Sequence, residues 1–152
     1  MIGTKAVTIM GWVDWYSLGE NSTGRIIDNG EFIIWTDNDN DRFRIVSDTS
    51  TAANAVNNSV VLNKKQFISV TREIDGTANF YIGDLDTAPA INGTPDQDSG
   101  VPTVGTANTI LGNTAAQTQT FDGLIPKLKV VEGILSLAEI TQEWSSTLQD
   151  VK

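Results

Sequence analysis

The chain has 152 residues, with 19 acidic and 10 basic side chains and neither cysteine nor histidine. A net charge of −9 repels phosphate backbones and anionic bilayers, which argues against nucleic-acid and membrane partners and for a soluble surface that tolerates cations. The missing cysteine and histidine exclude a disulfide scaffold, thiolate and imidazole zinc sites, and Ser-His or Cys-His catalysis.

The length suits one domain spanning residues 1–152. Apolar runs fall far short of the ~18 residues that a membrane span needs. Met1-Ile2-Gly3-Thr4-Lys5 shows no basic segment followed by an apolar one, so the given chain carries no secretory signal.

Along the chain the hydrophobic pattern is mostly of period two. Val7, Ile9, Gly11 and Val13 fall on one side of a first strand, with Thr8, Met10 and Trp12 on the other. Residues 17–24 have loop composition. Short strands are expected at 25–27, 32–36 and 43–46, with the acidic run 37–41 as the turn between the last two. Residues 47–58 read as a polar surface loop and 60–62 as a short strand. Residues 66–73 and 77–82 form a hairpin about Asp75-Gly76, whose glycine supplies the positive φ that a tight turn requires. Residues 86–105 hold three of the four prolines and read as a long irregular connection. The last strands are expected at 108–111 and 121–131. Ser136 and Glu139 have capping-box spacing, and Leu137, Ile140, Trp144 and Leu148 make an apolar stripe on a helix from Leu135 to Leu148 that pins to the sandwich rim. Many short strands with one late helix predict an all-β fold, an antiparallel sandwich or barrel.

Six segments in order resemble laminin G-like, concanavalin A-like jelly-roll domains. Val7–Val13 resembles the "FTISAWV" strand, and Lys65–Arg72 the "WHHVAVTRD" strand. Asp75-Gly76 with Asn79–Asp84 is similar to "G…LYVNG", Ile110–Asn113 to "IGG", Phe121–Ile125 to "F.G.ID", and Leu135–Ile140 to "ALSAEEI". The resemblance implies an antiparallel jelly-roll β-sandwich with one short C-terminal helix. It departs from the family in two places. Family members begin with one or two strands ahead of the first one here, and that early strand pairs with the last. Its absence would leave an open sheet edge, a template for a neighbour. Pro126 stands where the family often has an acidic residue, and a proline belongs at an edge or a bulge.

Candidate chemistry is sparse. Glu73-Ile74-Asp75 matches half of a glucanase carboxylate motif, but Gly76 and Thr77 follow and no second glutamate arrives, so the segment reads as a hairpin and the chain as non-enzymatic. Asp37, Asp39 and Asp41 are the metal candidates, with Ca2+ as the cation that alternating acids in a turn would suit; Asp84 and Asp86 are a weaker pair. Trp15 and Tyr16, at a strand end, are the candidate exposed ligand-stacking pair, whereas Trp12 and Trp35 are expected in the core. Asn21, Asn57 and Asn92 match glycosylation acceptor spacing, as an Asn- and Thr-rich chain does by chance.

Two functions follow as expectations. The first is a virion structural protein, a phage capsid decoration or tail-associated subunit, with protein subunits as partners and an edge completed by a neighbour. The second is a carbohydrate-binding module of a larger secreted or adhesion protein, with surface glycans as partners and calcium at the Asp37–Asp41 turn. The corresponding locations are the virion or the extracellular space.

Overall fold

The computed structural model describes residues 5–30, 32–37, 40–47, 51–99 and 108–152. Two antiparallel sheets stack face to face. The first takes β1 (Val7–Trp15), β6 (Lys65–Arg72), β7 (Thr77–Asp84), β8 (Ala90–Ile91) and β11 (Gly123–Glu132) in the order β11-β1-β6-β7-β8, with β9 (Asp96–Gln97) also on β7. The second takes β2 (Arg25–Asp28), β3 (Phe32–Asp37), β4 (Arg42–Ser47), β5 (Ala53–Asn54) and β10 (Ile110–Leu111) in the order β10-β2-β3-β4-β5. One helix, α1 (Leu137–Val151), follows the last strand. Of the sandwich and barrel that the strand pattern allows, the chain forms the sandwich, the jelly roll that the resemblance implies.

The alternation in β1 sets the layers. Val7, Ile9, Val13 and Trp15 enter the core between the sheets, where Phe43 and Phe80 meet edge to face at 5.2 Å. Met10 and Trp12 point the other way, into a second apolar cluster with Phe67, Ile140 and Val151 beneath α1. Trp12 Nε1 donates to Thr147 Oγ1 at 2.8 Å, and Trp144 Nε1 donates to the Asp84 carbonyl at 2.8 Å. Both indoles thus bury their rings and keep a polar partner. The helix therefore lies flat on the outer face of the first sheet instead of at the rim. Its start is fixed by the capping box: Glu139 N donates to Ser136 Oγ, and Ser136 N donates to Glu139 Oε2.

Local pattern reading missed three short pairings. Residues 47–58 contain β5, and the connection after β7 contains β8 and β9. Conversely, residues 60–62 join no ladder; Val60 is buried, and its N–H donates to the Asp41 carbonyl. The connection is a strap fastened to both sheets by side chains. Asn92 Oδ1 accepts from Val56 N, and Asp96 Oδ2 accepts from Asn54 N and Nδ2. Asp98 is fully buried; its Oδ2 accepts from Arg72 Nε at 2.6 Å and from Ser47 N and Oγ at 2.7 Å each. One carboxylate so ties the end of β6 in the first sheet to the end of β4 in the second. Gly76, at φ 93, makes the Asp75-Gly76 turn, and a Cβ there would strike the Asp98 carbonyl that the strap lays across it.

Pro126 sits at a bulge. Trp12 pairs with Lys127 and Asp14 with Leu124, so Ile125 and Pro126 together stand opposite Val13. β11 is also the edge strand: no strand pairs with its outer side among the described residues. That edge is blunted by the bulge, by the donor that proline lacks, and by Lys127 and Lys129, which reach to Asp150 and Glu143 on α1.

Removing one partner of a buried ion pair leaves the other charge buried without its counter-charge. Asp98→Ala is expected to lower unfolding free energy by about 3–5 kcal/mol in urea titration, more than an exposed aspartate such as Asp75 costs. Asp84 gives a pH signature. The hydrogen bond from Lys64 and those from Asp86 and Thr87 N–H lower its pKa from 3.8 to about 2. The folded-state pKa is depressed, so its stabilisation is full above the unfolded value and is lost as pH falls through about 2. The stability gap between wild type and Asp84→Asn should therefore be constant near neutrality, narrow below about pH 4 and level off only below about pH 2.

Candidate functional site

α1 packs on the first sheet, and no α-helix among the described residues covers the outer face of the second. Phe32, Ile34 and Thr36 of β3 turn inward and are buried, so Trp35 between them turns outward. Its cross-strand neighbours are Arg25 on β2 and Arg44 on β4, and Arg44 pairs in turn with Asn54 on β5. An unbroken row Arg25–Trp35–Arg44–Asn54 thus crosses the sheet. The guanidinium carbons lie 4.9 Å (Arg25) and 5.2 Å (Arg44) from the indole centroid, so the half-buried ring holds two cations in place.

The next row pairs Asp37 with Arg42. Asp37 is buried, and its Oδ2 accepts from Arg42 Nε at 3.1 Å and from Arg44 Nη1 at 3.3 Å. Arg25 Nε donates to Gln119 Oε1 at 2.8 Å and lies 3.7 Å from Asp28. Burial draws the Arg25 pKa down, while Asp28 draws it up. The chain has four arginines, and three of them stand on this one face of a strongly acidic protein.

At the β5 edge the row opens into a cleft of about 350 Å3 lined by Arg42, Asn54, Val56, Asn57, Thr94 and Asp96. Its walls are the second sheet and the strap. Arg42 Nη1 donates to Asn57 Oδ1 at 3.2 Å. Burial would raise the Asp96 pKa, but hydrogen bonds from Asn54 and Gln97 outweigh it and hold the carboxyl below its ordinary value. Arg44 Nε and Asn54 Oδ1, on cross-strand partners, are a buried donor and a buried acceptor without a hydrogen bond.

The residues singled out from sequence scatter. Trp15 is not exposed: it is fully buried in the core, 6.4 Å from the Phe121 ring, because it continues the inward alternation of Val13. It offers no ring face to a ligand. Tyr16, the next residue, is 49% exposed. Trp12 is buried as expected, although beneath the helix, whereas Trp35 is on the outer face and not in the core. Asp37 is engaged by two guanidiniums, Asp41 is exposed at φ 45, and Asp39 lies outside the described residues. No group of three or more acids poised for a metal occurs among the described residues. Asp75 Oδ1 accepts from Thr77 N, the local bond of a turn. Asp84 likewise caps its own turn through Asp86 N and Thr87 N. The row itself was missed, although the inward set Phe32, Ile34 and Thr36 already puts Trp35 outside.

A laminin G-like family profile, described as the concanavalin A-like lectin/glucanases superfamily, matches residues 1–141. The chain belongs to that superfamily. Among solved structures it is similar to the native heptameric SAP-like pentraxin from Limulus polyphemus, at a TM-score of 0.64 and 14% identity over 93% of this chain and 71% of the pentraxin chain. At that identity the likeness is one of fold. No curated protein matches the chain. A concanavalin A-like lectin-type sandwich is compatible with carbohydrate binding or with a structural role, and such laminin G-like and pentraxin folds are generally binding domains, so the choice rests on the surface of this chain. No helix among the described residues is long and apolar enough to cross a membrane.

Proposed function

We propose that the chain is a non-catalytic carbohydrate-recognition domain that binds glycans on the outer face of its second sheet. The observation that carries this reading is the row Arg25–Trp35–Arg44–Asn54 on the face that α1 leaves bare. Guanidinium and amide groups donate to sugar oxygens, and an indole edge offers apolar surface to ring C–H groups. The row is held rigid by Asp37, Gln119 and the cation–π contacts, so little side-chain entropy is lost when a ligand arrives. Calcium at Asp37, Asp39 and Asp41 and stacking on Tyr16 are separable additions to the same reading.

A glycan array of neutral, uronate-bearing and sulfated oligosaccharides, probed with calcium and with chelator, tests the reading. The wild-type protein is expected to bind a defined set, and Trp35→Ala to weaken it at least tenfold. Loss in chelator would assign calcium a part, and loss in Tyr16→Ala would extend the surface to the end of β1. An array without any binding overturns the glycan reading.

A second reading is a structural subunit of a virion, a phage capsid decoration or tail-associated protein. It is supported by the ten-residue edge strand β11, whose outer side has no partner strand among the described residues and which exposes Leu124 and Val130. Its Pro126 bulge and paired lysines weigh against strand addition. Light scattering at micromolar concentration decides: a monomer is expected from the blunted edge, and a discrete oligomer that a β11 substitution such as Val130→Lys dissolves would favour the subunit.

A further inference from the structure

Resting on the glycan-recognition reading, we infer that the cleft between the strap and the β5 edge is a subsite for an uncharged sugar residue, read through its hydroxyl groups by Arg42, Asn54, Asn57, Thr94 and Asp96. The chemistry of the two walls selects the ligand class. Arg42 lines one wall and Asp96 the other. An anionic group seated there would face the Asp96 carboxylate, which its hydrogen bonds keep ionised at neutral pH. A cation would face Arg42, whose charge is shared with Asp37 and Asn57. A hydroxyl donates one hydrogen bond and accepts others, so a polyol satisfies both walls without a charge to desolvate.

The groups left to bind it are complementary. Asn57 Oδ1 is taken by Arg42, which leaves its amide N–H groups as donors. Thr94 Oγ1 makes no protein hydrogen bond among the described residues and can both donate and accept. Just behind them, Arg44 Nε and Asn54 Oδ1 form the unsatisfied donor and acceptor already noted, on directly paired residues. A rotation of the Asn54 amide toward the cleft would present that acceptor to a hydroxyl. The apolar share comes from Val56, 48% exposed, and Pro95, which together offer a surface for ring C–H groups. At about 350 Å3 the cleft sits at the small end of ligand sites, the scale of one sugar ring rather than a chain. The remainder of an oligosaccharide would then run along the row toward Trp35.

The test uses isotope-labelled wild-type protein titrated with the methyl glycosides of glucose, galactose, mannose and fucose, and in parallel with free glucuronate. Side-chain amide resonances of Asn54 and Asn57 and the backbone amide of Thr94 are followed, with the Trp35 indole N–H as a reference on the same face. At least one neutral glycoside is expected to shift the cleft signals, with glucuronate at least fivefold weaker. Asn57→Ala, at an exposed position, should weaken that neutral glycoside at least fivefold while the backbone amide spectrum keeps its native dispersion. Shifts confined to the Trp35 indole, or stronger binding of glucuronate than of every neutral sugar, overturn the cleft assignment while leaving glycan recognition standing. No shift by any of the five sugars overturns it as well. The array separately reports whether recognition of longer glycans survives.

Discussion

Strand β1 is buried on both of its faces, and this double burial organises the molecule. A strand with one wet face would leave its sheet free to carry a ligand surface. Here Val7, Ile9, Val13 and Trp15 fill the sandwich, while Met10 and Trp12 demand a second cover, which α1 supplies with Ile140, Thr147 and Val151. Thr8 completes the join: its hydroxyl donates to the Gly133 carbonyl and accepts from Leu135 N at the approach to the helix. The result is three layers, and the outer side of the second sheet is the sheet face that no α-helix among the described residues covers.

That face is built unlike an inert one. A β-surface that only has to stay wet can be made of threonine, serine and lysine. This one instead concentrates three arginines about one tryptophan and places its carboxylates where they fix the guanidiniums. Order of this kind costs side-chain entropy in the free protein. That ordering is what the proposed glycan-recognition reading rests on, in a chain whose superfamily is described by lectins and glucanases.

Much of the architecture was legible in local patterns. The period-two run of β1, the Asp75-Gly76 hairpin and the Ser136–Glu139 cap each carry their instruction within a few residues, and the structure follows all three. The need for Pro126 to find an edge or bulge was legible for the same reason, since a missing N–H is a local fact. The helix was legible in extent but not in seat, because its true floor is Met10, Trp12 and Phe67, far away in sequence. The short strands β5, β8 and β9 were not legible. They are two residues each and owe their place to side chains such as Asp96, Asp98 and Asn92 reaching across long separations. The site was the least legible part. Carrying the alternation past Val13 would have buried Trp15, and carrying it through β3 would have exposed Trp35. Reading Asp37 and Arg42 as a cross-strand pair would have shown that Asp37 also anchors arginines.

The strap held by Asp98 bears on when the surface becomes usable. Its carboxylate needs Arg72 from one sheet and Ser47 from the other, so it can seat only after both have come together. Since the same strap supplies Thr94 and Asp96 to the cleft, that hollow does not exist on a half-assembled chain. Under the proposed reading, a molecule that slips this clasp gives up the wall carrying Thr94 and Asp96, and with it the subsite.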